Sequence, residues 1–318
     1  MTVQPGNDRQ DCLHQKSQLL ALGLQRCSQR QLCLGPCPFC RPSFMPNNHD
    51  ILSQRFYQNR AVAEWFATKD FILPDEQAFL DEHGNEALDG RQVLDIGVGA
   101  GRTTRFLLPR AGRYVGGDYS AEMIEAARKR LPEADLSVFD ASDLSAYADG
   151  EFDTVIFSFN GLDSLSNESR LKALAEMHRV LRPGGWLAFS SHNRSRAPVS
   201  VFSLRNLDVS MNPKRMLSNA AVYVRGIVNW LRFKHFAVKS AEYDMRVESG
   251  SGYKACIYYI DKKRQAAQLT RLGFKLVTMW DAKGKKTALD EPDSDSSWIF
   301  FVARKETSKL PSANEGNA

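Results

Sequence analysis

Between Val93 and Thr103 the chain reads VLDIGVGAGRT: a short apolar run, a carboxylate, then glycines at 97, 99 and 101. No other stretch constrains the fold as strongly. An apolar strand delivers the backbone to the edge of a sheet, and glycines let it turn sharply there and approach a ligand closely. A turn of this kind also serves dinucleotide sites, so the flanking sequence has to decide what it holds.

The flanks alternate between two periods. Val93–Ile96, Tyr114–Gly117, Leu136–Phe139, Phe152–Phe159 and Trp186–Ser190 read as strands, and FDTVIFSF is apolar on both faces, as a central parallel strand should be. Helices are expected from Arg102 to Leu108, stopped by Pro109, from Ala121 to Leu131, stopped by Pro132, and from Leu171 to Leu181, closed by Pro183-Gly184-Gly185. His178, on a Leu-rich stripe of that last helix, reads as packing. Upstream, Phe56, Tyr57, Val62, Trp65 and Phe66 sit at roughly helical spacing, and a second helix should follow Pro74. The rhythm lapses over residues 194–260, then resumes with a helix at Lys262–Leu272 and strands at Phe274–Trp280 and Ser297–Ala303. Such alternation predicts an α/β fold, a doubly wound sheet with right-handed crossovers.

No run is long and apolar enough to span a bilayer, and the start MTVQPGNDRQ lacks the apolar core of a secretory signal, so a cytoplasmic protein is expected. Net charge is only +5, too mild to imply a nucleic-acid partner. Five of the six cysteines fall in residues 1–45, and Cys33, Cys37 and Cys40 are spaced C-x3-C-x2-C. That spacing can set three thiolates around an iron–sulfur cluster or, with a fourth ligand, a zinc. The competing reading is an extension of thiols without metal. The domain is expected over residues 46–305, with a disordered tail over 306–318.

VLDIGVGAGRT, VGGDYSAEMIEAAR, FDASDL, FDTVIFSFNGLD and RVLRPGGWLAFSS occur in the order, and at the strand ends, of class I S-adenosylmethionine-dependent methyltransferases, which the chain resembles from about Phe56 to Lys305. The resemblance implies a Rossmann-like, seven-stranded sheet whose last strand is antiparallel; residues 194–260, inserted after strand five, are expected to form a lid. It implies S-adenosyl-L-methionine as cofactor. Asp118, twenty-three residues past Asp95, suits a ribose diol, and Asp140 an adenine amine, with backbone groups of Ala141 and Ser142 at the ring and Tyr119 and Met123 packing the base. The resemblance assigns the same roles, adds Ser158 and Phe159 beside the methionine part, and makes Asp95 a cofactor contact along with Gly97, Gly99 and Gly101. A dehydrogenase fits poorly, because three residues past Gly99 stands Arg102, not the glycine of G-x-G-x-x-G.

A hydroxyl or ammonium acceptor benefits from a base. His192, directly after the fifth strand, and Asn160 are the catalytic candidates, with Asp163 as a further polar group. Between 194 and 239 stand Arg194, Arg196, Arg205, Lys214, Arg215, Arg225, Arg232, Lys234 and Lys239 against one acid, Asp208. Val224, Ile227, Val228 and Leu231 read as an apolar helical face with Arg225, Asn229 and Arg232 opposite, followed by a hairpin around Gly250-Ser251-Gly252. The expected lid favours a small anionic or sugar-like acceptor methylated on O or N. The alternatives are a packing or dimerising helix, an RNA or protein acceptor, an anionic membrane, and a non-catalytic cofactor-binding protein.

Overall fold

The computed structural model describes residues 48–307. The cysteines of the leader and the expected tail beyond 307 lie outside those residues. Among the described residues Cys256 is buried and free, and no group of His, Cys, Asp or Glu could hold a metal ion.

Three helices lead in: α1 (Asn48–Tyr57), α2 (Arg60–Ala67) and α3 (Pro74–Ala87). Asn59 accepts from the Ala61 amide to start α2, and Pro74 opens α3 where its missing N–H costs nothing. Five parallel strands follow: β1 (Gln92–Ile96), β2 (Arg113–Asp118), β3 (Leu136–Val138), β4 (Phe152–Phe157) and β5 (Leu181–Asn193), in the spatial order β3-β2-β1-β4-β5. Their crossovers carry α4 (Thr104–Leu107), α5 (Ala121–Arg130) and α6 (Asn167–Val180). The order reverses between β1 and β4, and in such sheets ligands bind outside the carboxyl ends at that point.

Both faces of the sheet are covered. Leu174, Met177 and Val180 of α6 pack with Leu94, Val155 and Phe189 on one face, while Phe79 and Leu80 of α3 and Ile124 and Ala127 of α5 pack with Val93 and Ile156 on the other. β5 starts earlier than its apolar run suggests. Its pairing with β4 slips between Phe152 and Thr154, which absorbs Pro183-Gly184-Gly185 as an irregularity rather than a preceding turn.

Residues 194–260 fold into α7 (Pro213–Phe233) and three short strands, β6 (Val238–Lys239), β7 (Asp244–Val247) and β8 (Cys256–Ile260). The chain closes with α8 (Lys262–Arg271), β9 (Phe274–Asp281) and β10 (Trp298–Lys305). β10 runs antiparallel to both β5 and β9, so β3-β2-β1-β4-β5-β10-β9 is the expected seven-stranded order with an antiparallel last strand. The sheet nonetheless has ten strands, because the insertion adds three. The Asn193 amide donates to Ser297 O beside β10, while the Arg194 amide donates to Ile260 O in β8. Successive amides of a strand point to opposite edges, so β8 joins β5 on the edge that β4 leaves vacant. The expected hairpin is β7 and β8, antiparallel in register Val247 to Cys256. It therefore stands above the end of β4.

One sequence expectation is overturned. Ile227 faces inward with Trp230 and Phe233, against Tyr258 and Met245, but Val224, Val228 and Leu231 are exposed. A stripe drawn through all four by periodicity alone was too wide: the core takes only the side that includes the aromatic residues.

Candidate active site at the carboxyl edge of the sheet

A cavity of about 330 Å³ opens at the switch point. The ends of β1, β2, β3, β4 and β5 supply Gly97 and Gly99, Asp118 and Tyr119, Asp140 and Ala141, Ser158 to Asn160, and His192. Met123 of α5 joins them. Eleven strand-end and helix positions expected from sequence thus meet around one space.

The turn after β1 is held to β2: Gly97 and Val98 amides both donate to Gly117 O, at 2.7 and 3.1 Å. Gly97 has φ +66, and a Cβ there would lie 2.3 Å from the Phe157 ring, so glycine is required twice over. Gly99, at φ +54, would meet nothing, because its Cβ direction is open.

Asp118 accepts the Gly99 amide at 3.0 Å and the Ser120 amide at 2.9 Å. Burial pushes its carboxyl up to about 6, against the downward pull of those amides. Each oxygen keeps lone-pair capacity for a ligand hydroxyl. Asp140 uses one oxygen to accept the Ser142 amide at 2.8 Å. The hydroxyl of Tyr119 and Oδ1 of Asn160 are buried with no partner among the described residues, although both residues line the cavity. Orphaned polar atoms around an apolar hollow are what a nucleoside-bearing ligand would satisfy. The donors, acceptors and glycines present therefore fit S-adenosylmethionine.

Phe159 and Asn160 are both left-handed, at φ 52 and 57, a costly pair of conformations for non-glycine residues. They turn the chain back after β4, where the Asn160 amide donates to Ser190 Oγ at 2.7 Å. The Phe159 ring packs edge-on to Phe66 and lies under the Arg102 guanidinium, 4.8 Å from its centroid. Arg102 in turn forms a buried pair with Glu76 at 2.6 Å.

Asp95, Gly101 and Ser142, all expected at the cofactor, do not line the cavity. Asp95 is wholly buried, accepting from the Tyr114 hydroxyl at 2.7 Å, and burial pushes its carboxyl up to about 7. Gly101 has its Cβ direction against Leu131 and Ala127, so its service is close packing of α5.

His192 has Nδ1 2.8 Å from Asp163 Oδ2, and its own amide donates to the same oxygen at 2.6 Å. The other Asp163 oxygen accepts Ser191 Oγ at 2.7 Å and lies 3.5 Å from Arg170 Nε. Arg170, fully buried, donates to Gln268 at 2.7 Å, Gln265 at 2.8 Å and Ser191 at 3.1 Å, and its guanidinium lies over Tyr258 at 4.5 Å. This places an ionic anchor beneath the histidine, and with Nδ1 engaged, Nε2 is the ring nitrogen left for a ligand. Nothing in the sequence announces that Arg170, from α6, Gln265 and Gln268, from α8, and Asp163 converge.

The lead-in and insertion complete the walls. Tyr57, Trp65 and Phe66 come from α1 and α2; Glu248, Gly250, Ser251 and Ile257 come from the β7–β8 hairpin. Asp50 of α1 accepts the Ser166 amide at 2.6 Å and Ser169 Oγ at 2.8 Å, fixing α1 to the start of α6. Ser53 Oγ donates to Cys256 O at 2.9 Å, tying α1 to β8. Burial, then the neighbouring Asp118 charge, pushes the Tyr57 phenol up to about 12, so it stays a neutral donor. Glu248 accepts from the Tyr259 hydroxyl. No Lys or Arg lines the cavity among the described residues.

Residues 93–185 match the methyltransferase domain family. The chain is 34% identical over 143 residues to a demethylmenaquinone methyltransferase of Renibacterium salmoninarum, covering 43% of this chain and 58% of that protein. It is 38% identical over 102 residues to a trans-aconitate 2-methyltransferase of an Azoarcus species, covering 31% of this chain and 38% of the relative. The matched part thus spans about half the length of such relatives. In fold it resembles the 1,6-didemethyltoxoflavin-N1-methyltransferase of Burkholderia thailandensis, with a TM-score of 0.52 and 15% identity over 88% of this chain and 97% of that one.

Proposed function

For a chain whose residues 93–185 belong to the methyltransferase domain family, on a class I S-adenosylmethionine-dependent methyltransferase fold, we propose transfer of a methyl group to a small-molecule acceptor seated against His192. The observation that carries this reading is the His192–Asp163 contact at the rim of a cavity that also holds Gly97, Gly99, Asp118 and Asp140.

Bound S-adenosylmethionine would supply an electrophilic methyl group on a sulfonium. Asp118 would hold the ribose hydroxyls, Asp140 the adenine amine, and Ser158 and Phe159 the methionine end. His192 Nε2 would take the proton from an acceptor hydroxyl while Asp163 keeps the imidazole in one tautomer and stabilises the cation that forms. The deprotonated acceptor held there would face the methyl group, whose bond to sulfur would break with its electron pair left on sulfur. The proton leaves His192 for solvent. Asn160, with its unpartnered Oδ1, is placed to orient the acceptor.

The cavity walls favour an uncharged aromatic or apolar acceptor. Phe56, Tyr57, Trp65, Phe66 and Phe159 line them, and the cations of the insertion do not. Ionising a ring hydroxyl makes both the oxygen and the adjacent ring carbon nucleophilic, so the same base serves O- or C-methylation. The latter is the reaction named for a matched relative in Hydrogenovibrio crunogenus, a ubiquinone/menaquinone biosynthesis C-methyltransferase, 34% identical over 119 residues that are 35% of this chain and 45% of the relative.

Incubation of the protein with methyl-labelled cofactor and a fractionated cell extract tests the reading. Label in organic-soluble small molecules is expected. Label confined to RNA or protein would overturn the small-molecule assignment, and no turnover despite S-adenosylhomocysteine binding would overturn the catalytic one.

A further inference from the structure

The outward side of α7 carries a second, separate pattern. Leu217, Ala221, Val224, Val228 and Leu231 fall at steps of four and three, one stripe of a helix, and all are exposed; Leu217 is 74% and Val224 56% accessible. At 100° per residue Lys214, Arg225 and Arg232 form a row directly alongside, also exposed. The helix has 21 residues and contains no Asp or Glu. Just before it, Leu204, Val209 and Met211 are exposed too, Met211 almost completely. An apolar stripe with a one-sided cationic border is the pattern of a helix that lies in a membrane surface.

We propose that α7 docks the protein on an anionic lipid bilayer, with Leu217, Val224, Val228 and Leu231 in the acyl boundary and Lys214, Arg225 and Arg232 on lipid phosphates. Charge selects this occupant over a second copy of the chain. Pairing two α7 helices face to face would bring their cationic rows together with no carboxylate on either helix to balance them. No helix among the described residues is long and apolar enough to cross a membrane, so the contact is peripheral.

The side of the same helix away from the stripe holds the cavity wall. Asn229 of α7 donates to Gly252 O at 2.9 Å, and Gly226 packs on Tyr253, in the same turn whose Gly250 and Ser251 line the cavity. Docking would therefore leave α7 between the lipid surface and that turn of the cavity wall. The inference stands on the helix alone and does not depend on the identity of the methyl acceptor.

Co-sedimentation of the full chain with phosphatidylcholine vesicles, with and without phosphatidylglycerol, tests it. Binding is expected only with the anionic lipid. Replacing Arg225→Ser and Arg232→Ser together should weaken it about thirtyfold, since each basic residue near an anionic surface contributes about fivefold. Val224→Ser with Val228→Ser should weaken it on the order of tenfold while leaving the salt dependence intact. These positions are on the surface, so unchanged circular dichroism and melting temperature are expected for both variants. The proposal is overturned by no binding to anionic vesicles, by variants that bind like the parent, or by a parent dimer in light scattering that Val224→Ser with Val228→Ser converts to monomer. Displacement from vesicles by RNA at a site lost in the arginine variant would reassign the face to nucleic acid and overturn it equally.

Discussion

Asp163 Oδ2 accepts both the backbone amide of His192, at 2.6 Å, and stands 2.8 Å from its ring Nδ1. One oxygen thus fixes where the residue begins and how its ring is turned. Arg170 lies 3.5 Å from the other oxygen, so a buried cation faces the carboxylate from the side away from the histidine.

His192→Ala should lower kcat on a found acceptor by about 10²-fold or more, the usual contribution of a positioned base. Asp163→Asn should cost a similar factor, and the double variant little beyond either, since the two act as a unit. Binding of S-adenosylhomocysteine by calorimetry should be unchanged in His192→Ala. Full turnover in that variant would remove the general-base reading.

Asp118→Ala should weaken S-adenosylhomocysteine by about 2–3 kcal/mol, the loss of hydrogen bonds to a charged acceptor. The same titration with NAD should show no heat for the parent protein. A parent response to NAD, or an unaltered variant, would reopen the dinucleotide reading.

The two turn glycines should fail differently. Gly97→Ala places a Cβ 2.3 Å from Phe157, so a lowered melting temperature or loss of soluble protein is expected. Gly99→Ala carries only left-handed strain of about 1–2 kcal/mol, and its methyl enters open space. Its melting temperature should fall little while cofactor affinity falls markedly. Equal loss of stability in both variants would contradict the geometry.

Asp95 gives a pH signature. Its folded value of about 7 lies above the ordinary carboxylate value, because burial disfavours the charge. The stability it contributes is therefore complete below about pH 4 and is lost as pH rises through about 7. Asp95→Asn, neutral at every pH, should look more stable relative to the parent at pH 8 than at pH 5. Melting curves at the two pH values check this; a difference of the opposite sign would mean that the buried carboxylate is stabilised as the anion.

Much was legible before any coordinates. The Val93–Thr103 turn, Asp118, Asp140 and FSFNGLD each mark where an apolar strand gives way to a polar residue, and strand ends of a parallel sheet lie side by side. Local pattern therefore sufficed to bring most of the residues expected at the cofactor to one edge. It failed for Asp95 and Gly101, which share the motif but face the packing side, because a single strand's alternation does not say which face the ligand takes.

What the sequence determined alone was the alternation of periods, hence a doubly wound sheet, and the residue types at its carboxyl edge. What only the tertiary structure decided was everything made by residues far apart in the chain. Asp163, Arg170, His192, Gln265 and Gln268 meet because α6 and α8 pack on β5; Glu248 reaches the cavity because β8 takes the edge of β5 that β4 vacates; and Val224 and Val228 turn outward because Ile227 and Trp230 fill the core first. Periodicity is a property of one helix or strand, whereas burial and hydrogen-bond partners depend on neighbours that the sequence does not place.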